Sequence, residues 1–229
     1  VNSIVIHHHL GLGDHIDCNG MVRYFSELYD ENIIQVFSKP QYFDMVEYMY
    51  RDSESINVNL VKNEYQDVKT FTVENESTID DFFSVGHQHY PQNPSNDKNC
   101  WEYFYEQLEF DYDVKYDYFN VSRDMDEERR VYNKLNPSDE EYIFVHDDEA
   151  RGFKIDIDND LKIIRNDITE NIFHFPMILE KAKEIHVMES SFKSMVEHFD
   201  VGGDLYFHDF REHPLGRHTK EWKVIEYAS

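Results

Sequence analysis

The chain has 229 residues, 40% of them hydrophobic and 15% aromatic, with 22 Lys and Arg against 47 Asp and Glu. That length carries one large domain or two small ones, and a formal charge of −25 argues against a nucleic-acid backbone or an anionic membrane surface as partner. Cys18 and Cys100 are too few for a disulfide framework, no apolar run approaches the roughly 20 residues of a membrane span, and without a signal peptide a reducing, cytoplasmic setting is expected.

Ser3-Ile4-Val5-Ile6 reads as a short buried strand. Gly11-Leu12-Gly13-Asp14 follows, then a helical pattern in Ile16, Met21, Val22, Phe25 and Leu28. Ile33 to Phe37 is a second strand, Ser38-Lys39-Pro40 opens a helix running through Met49, and Ile56 to Val61 is a third strand. The middle is less regular. Residues 90–99 hold two prolines and three asparagines and form a loop, and Trp101 to Phe110 is an aromatic helix. Asp124 to Leu135 is a charged helix stopped at Asn136-Pro137, where a domain boundary is expected. Beyond it come strands at Tyr142–Val145, Leu161–Ile164, Ile185–Met188 and Leu205–His208, with helices at Phe173–Lys183 and Phe192–Phe199. Trp222 to Tyr227 reads as a last strand or a crossing helix. Strand–helix alternation implies parallel sheets. Two such sets give an α/β protein of two Rossmann-like domains, 1–136 and 137–229, facing a cleft. Ligands in such sheets sit beyond the carboxyl ends of the strands.

Four segments at those ends carry chemistry. In His7-His8-His9-Leu10-Gly11-Leu12-Gly13-Asp14-His15 the glycines admit a close backbone approach, and the helix start offers N–H groups to an anion. Asp14 reads equally as a helix cap. The spacing is not Gly-x-Gly-x-x-Gly, so a dinucleotide fits poorly. Neighbouring histidines on a strand point to opposite faces and cannot converge on one metal ion. In His146 to Lys154, Arg151 and Lys154 suit phosphate oxygens, although Arg151 has acidic neighbours to pair with in a solvated turn. Ser190 and Ser191 before Phe192 form either a phosphate cradle or a plain N-cap. Arg211 and His213, in the segment His208 to His218, suit phosphate or acceptor, or a polar surface loop. Together they divide labour as a sugar transfer requires: one half offers a carboxylate to deprotonate a hydroxyl, the other offers positive groups and N–H donors to a leaving diphosphate.

Leu10 to Asp14 resembles the first loop of the heptosyltransferase-like GT-B glycosyltransferases, in which the aspartate after the first strand is the base. Phe144 to Phe153 resembles the Arg-bearing donor-domain turn of fucosyltransferase-like GT-B enzymes, and Ala182 to Phe192 the strand, Ser/Thr turn and helix that grip the donor diphosphate in both groups. The Asn-, Asp- and Tyr-rich style is similar to compact glycosyltransferase domains of large viruses and marine bacteria. The resemblance implies an inverting transfer from a nucleotide-sugar donor, with a deoxyhexose suggested, to a carbohydrate acceptor, without cofactor or metal. It implies Asp14 as the base on an acceptor-side first domain. The donor falls to Gly11, Gly13, His15, His146, Arg151, Lys154, Ser190, Ser191 and Phe192, mainly in the second. Typical GT-B enzymes are longer, so loops must be trimmed here. The start on Val1 admits a place in a larger multidomain chain. Asp156-Ile157-Asp158 lacks a preceding apolar strand and reads as a surface loop, since a divalent site needs carboxylates on a rigid edge. A non-catalytic nucleotide-sugar or glycan-binding module and a sugar-nucleotide epimerase of the same build are the alternatives.

Overall fold

Ser3–His7 forms the first strand, β1, and every residue of it is buried. It lies inside a wholly parallel sheet with Ile33–Ser38 (β2), Ile56–Leu60 (β3) and Ile79–Ser84 (β4), in the order β3-β2-β1-β4. A strand paired on both sides and covered on both faces reads as an unbroken apolar run, which is why Ile4-Val5-Ile6 was legible. One face packs Val5, Leu10, Phe37, Val61 and Val68 together. The computed structural model describes residues 1–95, 97–211 and 214–227. Its chain divides into two units, residues 1–122 with 215–217, and residues 123–214 with 218–229.

Among the described residues the α-helices of the first unit are Leu12–Asp17 (α1), Asn19–Leu28 (α2), Phe43–Tyr50 (α3), Glu64–Glu74 (α4), Cys100–Glu106 (α5) and Val114–Asp117 (α6). Three elements here escaped the sequence reading, the four-residue α6 among them. α4 buries only Val68 fully, so its apolar periodicity is faint. β4 is an edge strand, Ile79-Asp80-Asp81-Phe82-Phe83-Ser84, with no fully buried residue. Gly20 lets α2 meet α6, since a Cβ there would fall 2.5 Å from the Val114 carbonyl oxygen. The helix expected over Trp101–Phe110 ends early at Glu106. The next residue, Gln107, turns its amide to both backbone groups of Gly86, accepting from N–H at 2.8 Å and donating to C=O at 3.0 Å.

The second unit opens with Met125–Leu135 (α7), followed by Tyr142–His146 (β5), Lys162–Arg165 (β6), Pro176–Lys181 (α8), Glu184–Val187 (β7), Ser191–His198 (α9), Asp204–Asp209 (β8) and Trp222–Glu226 (β9). Its strands among the described residues are all parallel, in the order β6-β5-β7-β8-β9. The ending therefore resolves as a strand. The two units divide at the Ser122–Arg123 bond, upstream of the boundary expected at Asn136-Pro137. Glu128 explains the shift: buried within α7, its carboxylate pairs with Arg123 and accepts the Met177 N–H at the start of α8. That ties α7 to α8.

Candidate functional site

Each sheet order has one place where the connections change direction, between β1 and β4 in the first and between β5 and β7 in the second. Loops leaving the carboxyl ends of such strand pairs form the ligand crevice of open α/β sheets.

In the first unit the three histidines go three ways. His7 is buried and meets the Glu64 carboxylate at 3.2 Å; Lys39 meets the same carboxylate at 2.9 Å. His8 is buried edge-on against His15, ring centroids 4.7 Å apart. His9 is exposed and points its Nδ1 at Asp14 Oδ2, 2.7 Å away. Among the described residues no three His, Cys, Asp or Glu are arranged to hold a metal ion. Asp14 is not the N-cap but the third residue of α1; the cap is Gly11. Its carboxylate is held from three sides: Trp101 Nε1 donates to Oδ1 at 2.9 Å, the Gly11 N–H donates to Oδ2 at 3.2 Å, and His9 takes the third. Only 13% of the Asp14 side chain is exposed.

Trp101 reaches this carboxylate because α5 is fixed at both ends. Asn99 and Glu102 form a reciprocal cap at its start. The buried Tyr105 hydroxyl donates to the Asp17 carbonyl and accepts the Met21 N–H, pinning the α1–α2 junction. The loop after β4, clamped by Gln107, sets His87 edge-on to His9 at 5.1 Å. Sequence reasoning missed Trp101, His87 and the role of His9; only the tertiary fold brings residue 101 to residue 14 and residue 87 to residue 9.

Two expectations change in this loop. Gly11 does permit a close approach, but to Asp14 itself: a Cβ would sit 2.5 Å from Oδ2. Gly13 is the second residue of α1. His15, expected at the donor, is fully buried, and burial pushes its ring well below the usual histidine range.

The second unit assembles His146, Ser190, Ser191 and Phe192 at the ends of β5 and β7. The His146 ring packs on Phe192 at 4.6 Å while its Nδ1 meets Asn166 Oδ1 at 2.8 Å. Ser190 is the N-cap of α9, accepting the Lys193 N–H at 3.5 Å, so the helix starts at Ser191, one residue before the expected start at Phe192. Phe192 is buried against Phe144 and Phe175; its ring is core, and only its backbone is at the helix start. Arg151 follows the solvated alternative: its guanidinium meets Asp148 at 2.5 Å in a turn closed by Gly152 at φ 84°. Lys154 pairs with Asp156 at 2.6 Å, both exposed. Arg165, which the sequence reading passed over, ends β6 and meets Asp147 at 2.7 Å. Arg211 is exposed after β8, and His213 lies outside the described residues. Leu215 to Arg217 belong to the first unit, where the Leu215 carbonyl accepts from Asn99 and the Arg217 N–H donates to Glu102.

No family model matches the chain, and no curated protein matches it in sequence. Solved structures do match in fold. The family 9 glycosyl transferase of Veillonella parvula aligns over 98% of this chain and 86% of its own, at 9% identity and a TM-score of 0.60. The E. coli ADP-heptose LPS heptosyltransferase II aligns over 97% and 90%, at 9% identity and a TM-score of 0.61. The fold is of the GT-B type. A GT-B fold carries two parallel sheets, as here, and no helix of the described residues is long and apolar enough to cross a membrane.

Proposed function

We propose that the protein transfers a sugar from a nucleotide-sugar donor to a carbohydrate acceptor, with inversion and without a metal ion. The observation that carries this is the Asp14 carboxylate, held by Trp101, Gly11 and His9 where the first sheet changes direction, in a chain with the fold of a family 9 glycosyl transferase. A pure binding module has no need of a carboxylate fixed by three donors. In this reading the first unit drives deprotonation of the acceptor hydroxyl through Asp14. The second holds the leaving diphosphate at the start of α9, where Ser190, Ser191 and the first N–H groups of the helix face the anion. His146, at the end of β5, packs on Phe192 beside that grip. For the sugar, a heptose as in the E. coli neighbour's name and a deoxyhexose are the first donors to try.

Incubation with a panel of nucleotide sugars, with and without glycan acceptors, tests the reading. Release of nucleoside diphosphate with an inverted glycoside is the expected result. A changed sugar on an intact nucleotide means epimerisation, and binding without either product means a module. In a folded Asp14→Asn variant, turnover falls by about a hundredfold or more; near wild-type turnover removes Asp14 from the mechanism. Full activity is expected in excess chelator, and a loss that Mg²⁺ or Mn²⁺ restores overturns metal independence.

A further inference from the structure

Asp14 is poorly placed to touch an acceptor itself. Both its oxygens already accept from protein donors, and little of its side chain reaches solvent. His9 has the opposite character, with 46% of its side chain exposed. An ionised carboxylate can only accept, so a neutral His9 bonded to it carries its proton on Nδ1 and leaves Nε2 as a bare lone pair. That nitrogen makes no hydrogen bond to any described residue.

We propose that His9 Nε2 is the group that takes the acceptor's proton, with Asp14 as a positioning residue behind it. The inference rests on the transferase reading above. In the step, the acceptor O–H bond breaks and its proton moves to Nε2, while the acceptor oxygen bonds to the sugar's anomeric carbon. The bond from that carbon to the diphosphate oxygen breaks, and its electron pair leaves with the diphosphate. His9 becomes an imidazolium, whose charge Asp14 meets through Nδ1–H, and returns the proton to solvent after product leaves. A carboxylate holding the tautomer and charge of a histidine base is a general arrangement for activating hydroxyls.

The surroundings support this role. The hydrogen bond to Asp14 raises the His9 pKa above its ordinary 6.5, outweighing partial burial; Glu64 acts in the same sense and Lys39 against it. His7 ends β1 and His8 follows it, and His87 faces His9 from the loop after β4. A base with a raised pKa works above that value and fails as the pH falls through it, so kcat should show an acid limb above pH 6.5.

The test combines ring NMR with rates of nucleoside diphosphate release from whichever nucleotide sugar the wild type turns over. The expected spectrum shows His9 as the Nδ1–H tautomer, with a pKa above the ordinary value that drops in Asp14→Asn. The expected rates show a fall of about a hundredfold or more in His9→Ala, loss of the acid limb, and partial rescue by added imidazole. An Nε2–H tautomer, or a pKa unmoved by Asp14→Asn, overturns the pair even without turnover. An active His9→Ala beside an inactive Asp14→Asn overturns His9 and leaves Asp14 as the base. No release from any nucleotide sugar by the wild type overturns the transferase reading, and the role of His9 falls with it.

Discussion

A methyl group at Gly11 would sit 2.5 Å from Asp14 Oδ2, so a single carbon is enough to disturb the carboxylate that positions His9. In Gly11→Ala the carboxylate must swing away from the Gly11 N–H and from His9. We expect at least a tenfold loss of turnover, with the His9 pKa returning toward its ordinary value; an unshifted His9 resonance would show that the loop absorbs the methyl. Deeper in the same unit, Lys115 and Asp17 form an ion pair at 2.5 Å with 0% and 1% side-chain exposure, and the ammonium lies near the faces of Trp101, Tyr112 and Tyr116. Lys115→Met leaves the Asp17 charge buried without its cation, and should lower unfolding stability by about 3–5 kcal/mol. A double replacement, Lys115→Met with Asp17→Leu, should recover most of that in urea denaturation, because the cost comes from an uncompensated charge. Neither position drew notice in the sequence, since a lysine and an aspartate a hundred residues apart look like any other surface charges until the chain folds.

At the scale of elements, helix ends decide where site groups point. Ser190 caps α9 and Asp124 caps α7, the latter accepting from the Asp126 and Glu127 N–H groups. Ser190→Ala should cost about 1 kcal/mol of stability and also weaken binding of nucleoside diphosphate measured by calorimetry. Asp124→Ala should cost a similar amount of stability with binding unchanged, which separates a local grip on the ligand from general loosening of the second unit. The central strands were readable because burial on both faces leaves only apolar residues, as in Ile143-Phe144-Val145. β4 was not, because an edge strand tolerates Asp80 and Asp81 and so carries the composition of a loop.

Across the whole molecule, buried histidines set the acid limit. Burial holds the His8 ring down to about 4 and the His208 ring, with the His186 charge adding to burial, also to about 4; His15 is lowered in the same way. Their pKa values in the unfolded chain are near 6.5. The unfolded state therefore takes up protons first as the pH falls. The stability these rings contribute is complete above pH 6.5 and is lost progressively toward pH 4, with each such group contributing up to about 1.4 kcal/mol per pH unit. Urea midpoints measured from pH 7 down to 4 should fall steeply, and His8→Gln should flatten the slope. A flat profile would mean that these rings find proton partners in solution.

By itself the sequence determined the strand–helix alternation, the parallel sheets and the loops at their carboxyl ends, because buried apolar runs and glycine-marked turns are local signals. It singled out Asp14 and Ser190 for the same reason: both lie within a few residues of the strand end that positions them. Only the tertiary structure decided what surrounds them. Trp101 and His87 come to Asp14 and His9 from other elements, His15 turns inward, and Arg151 is taken by Asp148. α7 belongs to the second unit, tied to α8 through the buried Glu128. Contacts between residues tens of positions apart leave no period in the sequence, so their chemistry becomes visible only when the sheets have brought them within hydrogen-bonding distance.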